Sequence, residues 1–305
     1  MFRYTTPLNR AVDNGHLDAV ILLIEHGAVV DDILDCYMEH HPLIRAIENN
    51  NYDISKLLLG MIWVDIDMLF RVAVECGSND VFQLLIDHGA DINGEAEFST
   101  DTCDEMKSTP LTLAACYDNV DSYKLLVDMG ANEDPFPGTD LTPLMFAIHS
   151  EAHDMLAYLI SIGKDINTKS NSFHHAPYGI MRSVELDDIR SVRMLLDAGV
   201  DIDAMYYFES EWHTILSFAV SEQDIGIARM LIDRGADVNK PECDEHSRCP
   251  LLIAAMDDDM AMSKLLIDAG ATTVMYHDGH KKSIHISEGE VITLIHKTRC
   301  NAICN

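Results

Sequence analysis

Apolar residues recur along this chain in short helical bursts separated by polar turns. The clearest burst is 109–130, TPLTLAACYDNVDSYKLLVDMG. Leu111, Leu113, Ala114 and Ala115 share one short predicted helix, and Leu125, Leu126 and Val127 share a second. Asp118-Asn119 marks a tight turn between them. Pro110 suits the first turn of a helix, where its missing N–H has no partner to lose. Gly130 suits the left-handed residue that ends one, because it has no Cβ to clash. Two helices this short bury one face each and need neighbours of the same kind.

The chain supplies those neighbours. The opening and closing positions stand 21 residues apart in eight places: Thr6/Gly27, His41/Ile62, Met68/Gly89, Thr109/Gly130, Thr142/Gly163, Tyr178/Gly199, Thr214/Gly235 and Cys249/Gly270. Five positions after each start comes a small residue: Ala11, Ala46, Ala73, Ala114, Ala147, Ser183, Ala219 and Ala254. An apolar trio precedes each closing position, as in Leu84-Leu85-Ile86, Met230-Leu231-Ile232 and Leu265-Leu266-Ile267. An internal period of roughly 33 residues predicts a solenoid of stacked helix–turn–helix units.

TPLNRA (6–11), HPLIRA (41–46), TPLTLA (109–114), TPLMFA (142–147) and CPLLIA (249–254) resemble the ankyrin opening T-P-L-H-x-A. GADIN (89–93) and GADVN (235–239) resemble the ankyrin exit. The resemblance covers about residues 5–299. It implies an all-α, ankyrin-type solenoid with projecting finger loops, whose fingers and inner helices line a concave binding face. The expected organisation is one array over 1–299 and a short C-terminal tail, 300–305. Lys282 to Arg299 reads as a shortened ninth repeat that caps the last apolar face, and Phe2 and Tyr4 are expected to pack over the first repeat.

The departures from the family pattern carry information. The opening His is missing from repeats one to eight; His285 alone occupies its place. The mid-repeat glycine survives at Gly15 and Gly77. Asn50, Asp118, Asp187 and Asp258 replace it with residues that tolerate left-handed backbone, whereas Glu151 and Gln223 are less suited. Ile62 is a β-branched residue at a left-handed cap, and the link from it to Met68 is the shortest in the chain. A distorted joint near 60–68 is therefore expected. The longest finger, Ile92 to Ser108, carries Glu95, Glu97, Asp101, Asp104 and Glu105.

Charge changes the picture next. The chain has 21 basic and 51 acidic residues, a formal net charge of −30. The acids are interleaved with apolar residues, as on a folded surface. Such a surface repels nucleic acid, whose binding rests on neutralised phosphates, and attracts a basic protein. It equally serves to keep a protein soluble and monomeric. No apolar run reaches the length of a membrane span, and MFRYTTPLNRAV has no signal-peptide pattern. The eight cysteines are scattered, which fits a reducing compartment. The expected location is the cytoplasm, with delivery into a host cell left open.

The resemblance places the residues seven and eight positions after each start at the concave end of the inner helices. Six of these eight pairs carry an acid, and none carries Lys or Arg. Candidate partner-binding residues there are Glu48, Glu75, Tyr117, Glu185, Glu222 and Asp257. In the fingers they are Phe98, Phe136, Phe173, Tyr206, Tyr207, Phe208 and Trp212, the last four within the densest aromatic cluster. Cys243, His246 and Cys249 form C-x2-H-x2-C, a weak start on a zinc site that normally takes four ligands. No metal or cofactor is expected. The chain has no glycine-rich phosphate loop and no G-x-S-x-G elbow. The expected function is a non-catalytic scaffold for a partner protein with a basic patch. The alternatives are an acidic inhibitor or immunity-type protein blocking a basic enzyme such as a nuclease, and a pathogen effector or viral host-interaction protein.

Overall fold

The opening Thr-Pro-Leu signature works through its cap. In the first helix, α1 (Pro7–Asp13), the Thr6 hydroxyl accepts from the Asn9 N–H at 3.1 Å and Pro7 takes the first helical position. In α7 (Pro110–Cys116), Thr109 and Thr112 cap each other reciprocally, and in α13 (Ile215–Ser221) Thr214 and Ser217 do the same. Thr142 caps α9 (Pro143–His149). His41 replaces Thr at the start of α3 (Pro42–Glu48) and still caps it, its Nδ1 accepting from the Leu43 N–H at 3.2 Å. Each such cap contributes about 0.5–2 kcal/mol. Tyr178, before α11 (Gly179–Glu185), and Cys249, before α15 (Pro250–Met256), make no side-chain cap.

The structure is a computed structural model that describes residues 6–30, 41–62, 65–100, 103–133, 142–167, 178–208, 211–240, 249–277 and 280–284. The chain divides into two compact units, residues 1–158 and 159–305. In the first, the inner helices α1, α3, α5 (Ile66–Cys76), α7 and α9 stack in sequence, each on the next. Their outer partners are α2 (Leu17–Glu25), α4 (Tyr52–Leu59), α6 (Phe82–Asp87), α8 (Val120–Asp128) and α10 (His153–Ser161), which crosses the boundary. In the second unit, α11, α13 and α15 stack likewise, with α12 (Ile189–Asp197), α14 (Ile225–Asp233) and α16 (Met260–Asp268) outside. The small residues lie where inner helices meet: Ala46, Ala73, Ala114, Ala147, Ser183 and Ala219 are fully buried. Tyr123, Phe70, Phe82 and Phe146 are the largest side chains in the core.

The tight turn between inner and outer helices needs one left-handed residue. All eight mid-repeat positions supply it, including Glu151 at φ +54° and Gln223 at +60°. Register here overrides residue preference. The second helix of each repeat ends on a glycine at positive φ, except in the second repeat. There α4 stops at Gly60, whose φ is −73°, and Ile62 is not left-handed. The third repeat also departs from the rest. Its α5 has eleven residues and starts at Ile66, capped by Asp65, three positions before the expected cap position, Met68. Its outer helix opens with a 3₁₀ turn, Asn79–Val81.

The fingers are more regular than loops. Three are antiparallel hairpins: β1 (Ala96–Thr100) with β2 (Cys103–Ser108), β3 (Tyr206–Phe208) with β4 (Glu211–His213), and β5 (Thr273–His277) with β6 (His280–Ile284). The long finger is the first of these, and Lys282–Ile284, expected to open a terminal repeat, lie in the β6 strand. Residues 285–299, with Phe2 and Tyr4, lie outside the described residues. At the finger bases, Asn and Asp side chains cross to the next repeat. Asn93 Oδ1 accepts from the Asn132 N–H at 2.8 Å, Asp203 Oδ1 from Asp237 at 2.9 Å, and Asn239 Oδ1 from Thr272 at 2.7 Å.

Candidate functional site

The β3–β4 hairpin is built on alternation. Tyr206 pairs with His213, and Tyr207 with Trp212, in the strand register. Successive side chains leave opposite faces of a strand. Tyr206 turns inward, 8% exposed, and meets the Tyr178 ring edge-on at 4.7 Å. Burial, then the nearby Asp201 carboxylate, push its phenol up to about 12. His213 packs edge-on to Phe218 at 6.1 Å, tying the hairpin to α13. Thr214, next in sequence, donates its hydroxyl to the Lys240 carbonyl at 3.2 Å. On the opposite face Tyr207 and Trp212 remain 49% and 42% exposed, with ring centroids 5.2 Å apart. Beside them Met205 is also exposed. The expectation of four contact aromatics is therefore corrected for Tyr206, which is a packing residue. Phe208 ends β3. Phe98 lies in β1, opposite Met106. Phe136 and Phe173 lie outside the described residues.

The acids at the inner helix ends divide into two kinds. Asp13 bonds the Arg45 Nε of the next repeat, and Glu185 Oε2 lies 2.8 Å from Arg182 Nη1. Glu75 faces Arg71 at 3.8 Å and is half-buried; burial raises its carboxyl, with Arg71 acting against the rise. Glu48, Glu222 and Asp257 are exposed. Glu185 is thus an internally paired residue. In the first unit the row continues across repeats. Burial and the Glu48 and Glu75 carboxylates raise the Cys76 thiol, and burial, Glu75 and the Cys116 and Cys76 thiols push Tyr117 up to about 12. Tyr117 is 43% exposed and ends the row beside Cys116, whose sulfur lies 2.8 Å from the Ser150 hydroxyl.

The zinc candidate loses a ligand. Cys249 is disulfide-bonded, so its sulfur is not a thiolate available to a metal, and it is buried at the N-cap position of α15. The scattered cysteines point to a reducing compartment and no disulfide framework; Cys249 is nonetheless in a disulfide. Cys243 and His246 lie outside the described residues. Among the described residues no group of three or more His, Cys, Asp or Glu could hold a metal ion. A small cavity at the base of the longest finger, about 30 Å³, is lined by Asp67, Arg71, Asp91, Glu95 and Thr109. Among the described residues no helix is long and apolar enough to cross a membrane. Sequence reasoning missed Tyr178 as the anchor of the hairpin and missed the exposed Met260, while Met256 falls at the expected end of its inner helix. The signal for Met260 is an apolar residue directly after an Asp cap, at the first position of an outer helix.

Stacked, Thr-capped helix pairs with glycine exits and projecting hairpins define an ankyrin-repeat solenoid. The family model described as ankyrin repeats (3 copies) matches residues 3–69 and 70–170, more than half of the chain. The chain belongs to the ankyrin-repeat family, whose members bind other proteins and typically act as non-catalytic scaffolds. Among curated proteins it is similar to the ankyrin repeat protein R599 of Acanthamoeba polyphaga mimivirus, 25% identical over 65% of this chain and 49% of that one. It is also 25% identical to the ankyrin repeat domain-containing protein SAT10 of Stachybotrys chartarum, over 71% of this chain and 10% of that one. The chain thus spans about half or less of these relatives. The human ASB11 ankyrin repeat domain has the same fold, with a TM-score of 0.53 at 17% identity, covering 76% of this chain and 99% of that one.

Proposed function

We propose that this protein is a non-catalytic scaffold that binds a partner protein carrying a basic patch. The observation that carries this reading is the solvent-facing Tyr207–Trp212 pair on a hairpin whose other face is locked by Tyr178 and Tyr206. Large rings held rigidly in water supply contact area at little entropic cost, which is the character of a binding hot spot. The exposed Glu48, Glu222 and Asp257 add a negative field that speeds encounter with a cationic surface and weakens as salt rises. The cytoplasm is the proposed site of action, and the monomer the proposed state. A viral host-interaction role is a second reading, favoured by the similarity to a mimivirus protein.

The test is affinity capture from native lysate with wild type beside Tyr207→Ala/Trp212→Ala, at low and high salt. The expected result is a partner retained by wild type and lost by the variant, with retention falling at high salt. Equal capture by both proteins refutes the hairpin as the contact. Salt-independent capture refutes the role of the acids. An inhibitor of a basic enzyme is distinguished from an adaptor by a steep salt dependence of the association rate.

A further inference from the structure

The turns that join inner to outer helices in the second unit carry exposed apolar residues in successive repeats. α14 and α16 both begin with an apolar residue in solvent: Ile225 is 38% exposed and Met260 48%. Met256, the last residue of α15, is 47% exposed beside them. In the preceding repeat Ile189 holds the equivalent position at the start of α12 and is half-buried, with Arg190 next to it. Equivalent residues of stacked repeats are neighbours, and packed helices stand about 8–10 Å apart. Ile189, Ile225 and Met260 therefore form an apolar row with one residue per repeat.

Acids rim this row. The two turns read SEQDI (221–225) and MDDDM (256–260), and neither 221–228 nor 256–263 contains Lys or Arg. Asp224 and Asp259 are consumed as N-caps, each accepting from two backbone N–H groups. Glu222, Asp257 and Asp258 are exposed around Ile225, Met256 and Met260. Methionine adapts its shape to varied apolar partners. An apolar row bordered by carboxylates is complementary to a helix with one apolar face and basic flanks. The spacing fits as well: one heptad of an α-helix advances about 10.5 Å, close to one repeat of the stack.

We propose that the Ile225–Met256–Met260 edge docks a basic amphipathic helix of the partner protein. This rests on the scaffold reading above and names the chemistry of a second contact, at the far end of α13 from the β3–β4 hairpin. The seven-residue α13 places the two about 10 Å apart along its axis.

The test uses a fluorescein-labelled peptide of three Leu-Lys heptads, titrated by anisotropy against the full chain. The controls are a peptide with Ser for every Leu and one with Glu for every Lys. Wild type is expected to bind the Leu-Lys peptide at least about tenfold more tightly than either control. Met256→Gln/Met260→Gln preserves side-chain length at exposed sites and is expected to weaken binding by about tenfold with unchanged circular dichroism. Asp257→Asn/Asp258→Asn should reduce the salt dependence, since Asn is at home at the left-handed position 258. Tyr52→Gln/Met61→Gln, at exposed apolar sites in the first unit, should leave binding unchanged. The proposal is overturned if the methionine variant binds within twofold of wild type, or if the Ser-substituted peptide binds as well as the Leu-Lys one. Tyr207→Ala/Trp212→Ala should bind the peptide normally. Loss of the native partner by that variant bears on the scaffold reading, and loss of peptide by the methionine variant bears on this edge.

Discussion

Replacing Gln223 by glycine should stabilise the protein. Gln223 holds φ +60° in the turn between α13 and α14, is exposed, and gives its N–H to the Val220 carbonyl at 3.0 Å. Left-handed backbone costs an L-residue about 1–2 kcal/mol. Glycine removes that cost but adds about 0.4–1 kcal/mol of unfolded-state entropy. The net gain is about 0.5–1 kcal/mol. Glu151, at φ +54° and also exposed, should behave alike. Asn50 occupies the same geometry at φ +51° but should move the other way. Its side chain accepts from the Asp80 N–H at 3.1 Å and donates to the Asp80 carboxylate at 2.8 Å, so glycine there breaks two bonds between repeats. Asn also bears left-handed backbone well, which leaves little strain to relieve. Asn50→Gly should cost about 0.5–1.5 kcal/mol. Urea unfolding followed by circular dichroism reads both as midpoint shifts of opposite sign at constant slope. If Gln223→Gly lowers the midpoint, or Asn50→Gly raises it as much as Gln223→Gly does, the strain argument is wrong.

Other expectations follow from single contacts. Leu126→Ala empties a fully buried site and should cost about 2–5 kcal/mol in the same assay. Partner capture at a temperature where both proteins are folded should not change. Asn239→Ala removes the bonds to the Thr272 N–H at 2.7 Å and hydroxyl at 2.9 Å, and should cost about 1–2 kcal/mol, read as a lower urea midpoint. Alkaline pH should weaken the fold through Tyr117 and Tyr206, both raised from 10 to about 12. Their contribution is complete below the unfolded value and is lost as pH rises through the folded one, because the unfolded chain gives up these protons first. Melting temperature should fall more steeply between pH 10 and 12 in wild type than in Tyr206→Phe.

The sequence was most legible where the determinants are short-range. A Thr or His hydroxyl or ring nitrogen, a proline and a buried alanine are fixed by one turn of helix, so the capped openings could be read directly. Register carried further than preference: Glu151 and Gln223 take left-handed backbone because the repeat demands it there. The repeat spacing holds for Ala73 and Gly77 but misplaces the start of α5, because Asp65 supplies an earlier cap and three more residues join the helix at that end. The hairpin was hidden because YYFESEWH shows no alternation of apolar and polar residues. The two-residue period separates inward Tyr206 from outward Tyr207 and sets Tyr207 against Trp212. The pairing of acids was hidden for a different reason. Asp13 and Arg45 are 32 residues apart and meet only once the repeats stack. For Glu185 the partner was local: Arg182, four positions after a repeat start, lies one helical turn before it.

An acidic composition becomes informative once acids with internal duties are set aside. Asp188, Asp224 and Asp259 take backbone N–H groups at the starts of outer helices, where the helix dipole also favours them. Asp13 and Glu185 are matched by arginines. At the turns of the second unit Glu222 and Asp257, C-cap residues of α13 and α15, are exposed. The turn brings the negative end of an inner helix beside the positive end of an outer one, so the two dipoles largely offset each other there. The local field is then set by these carboxylates themselves. Solubility alone gives no reason for such acids to border exposed Ile225, Met256 and Met260, since isolated charges anywhere on the surface serve it equally. Carboxylates around an uncovered apolar row do favour one class of ligand, an amphipathic cationic one, and disfavour acidic or wholly polar surfaces. That juxtaposition, more than the net charge, supports a recognition role for the acidity.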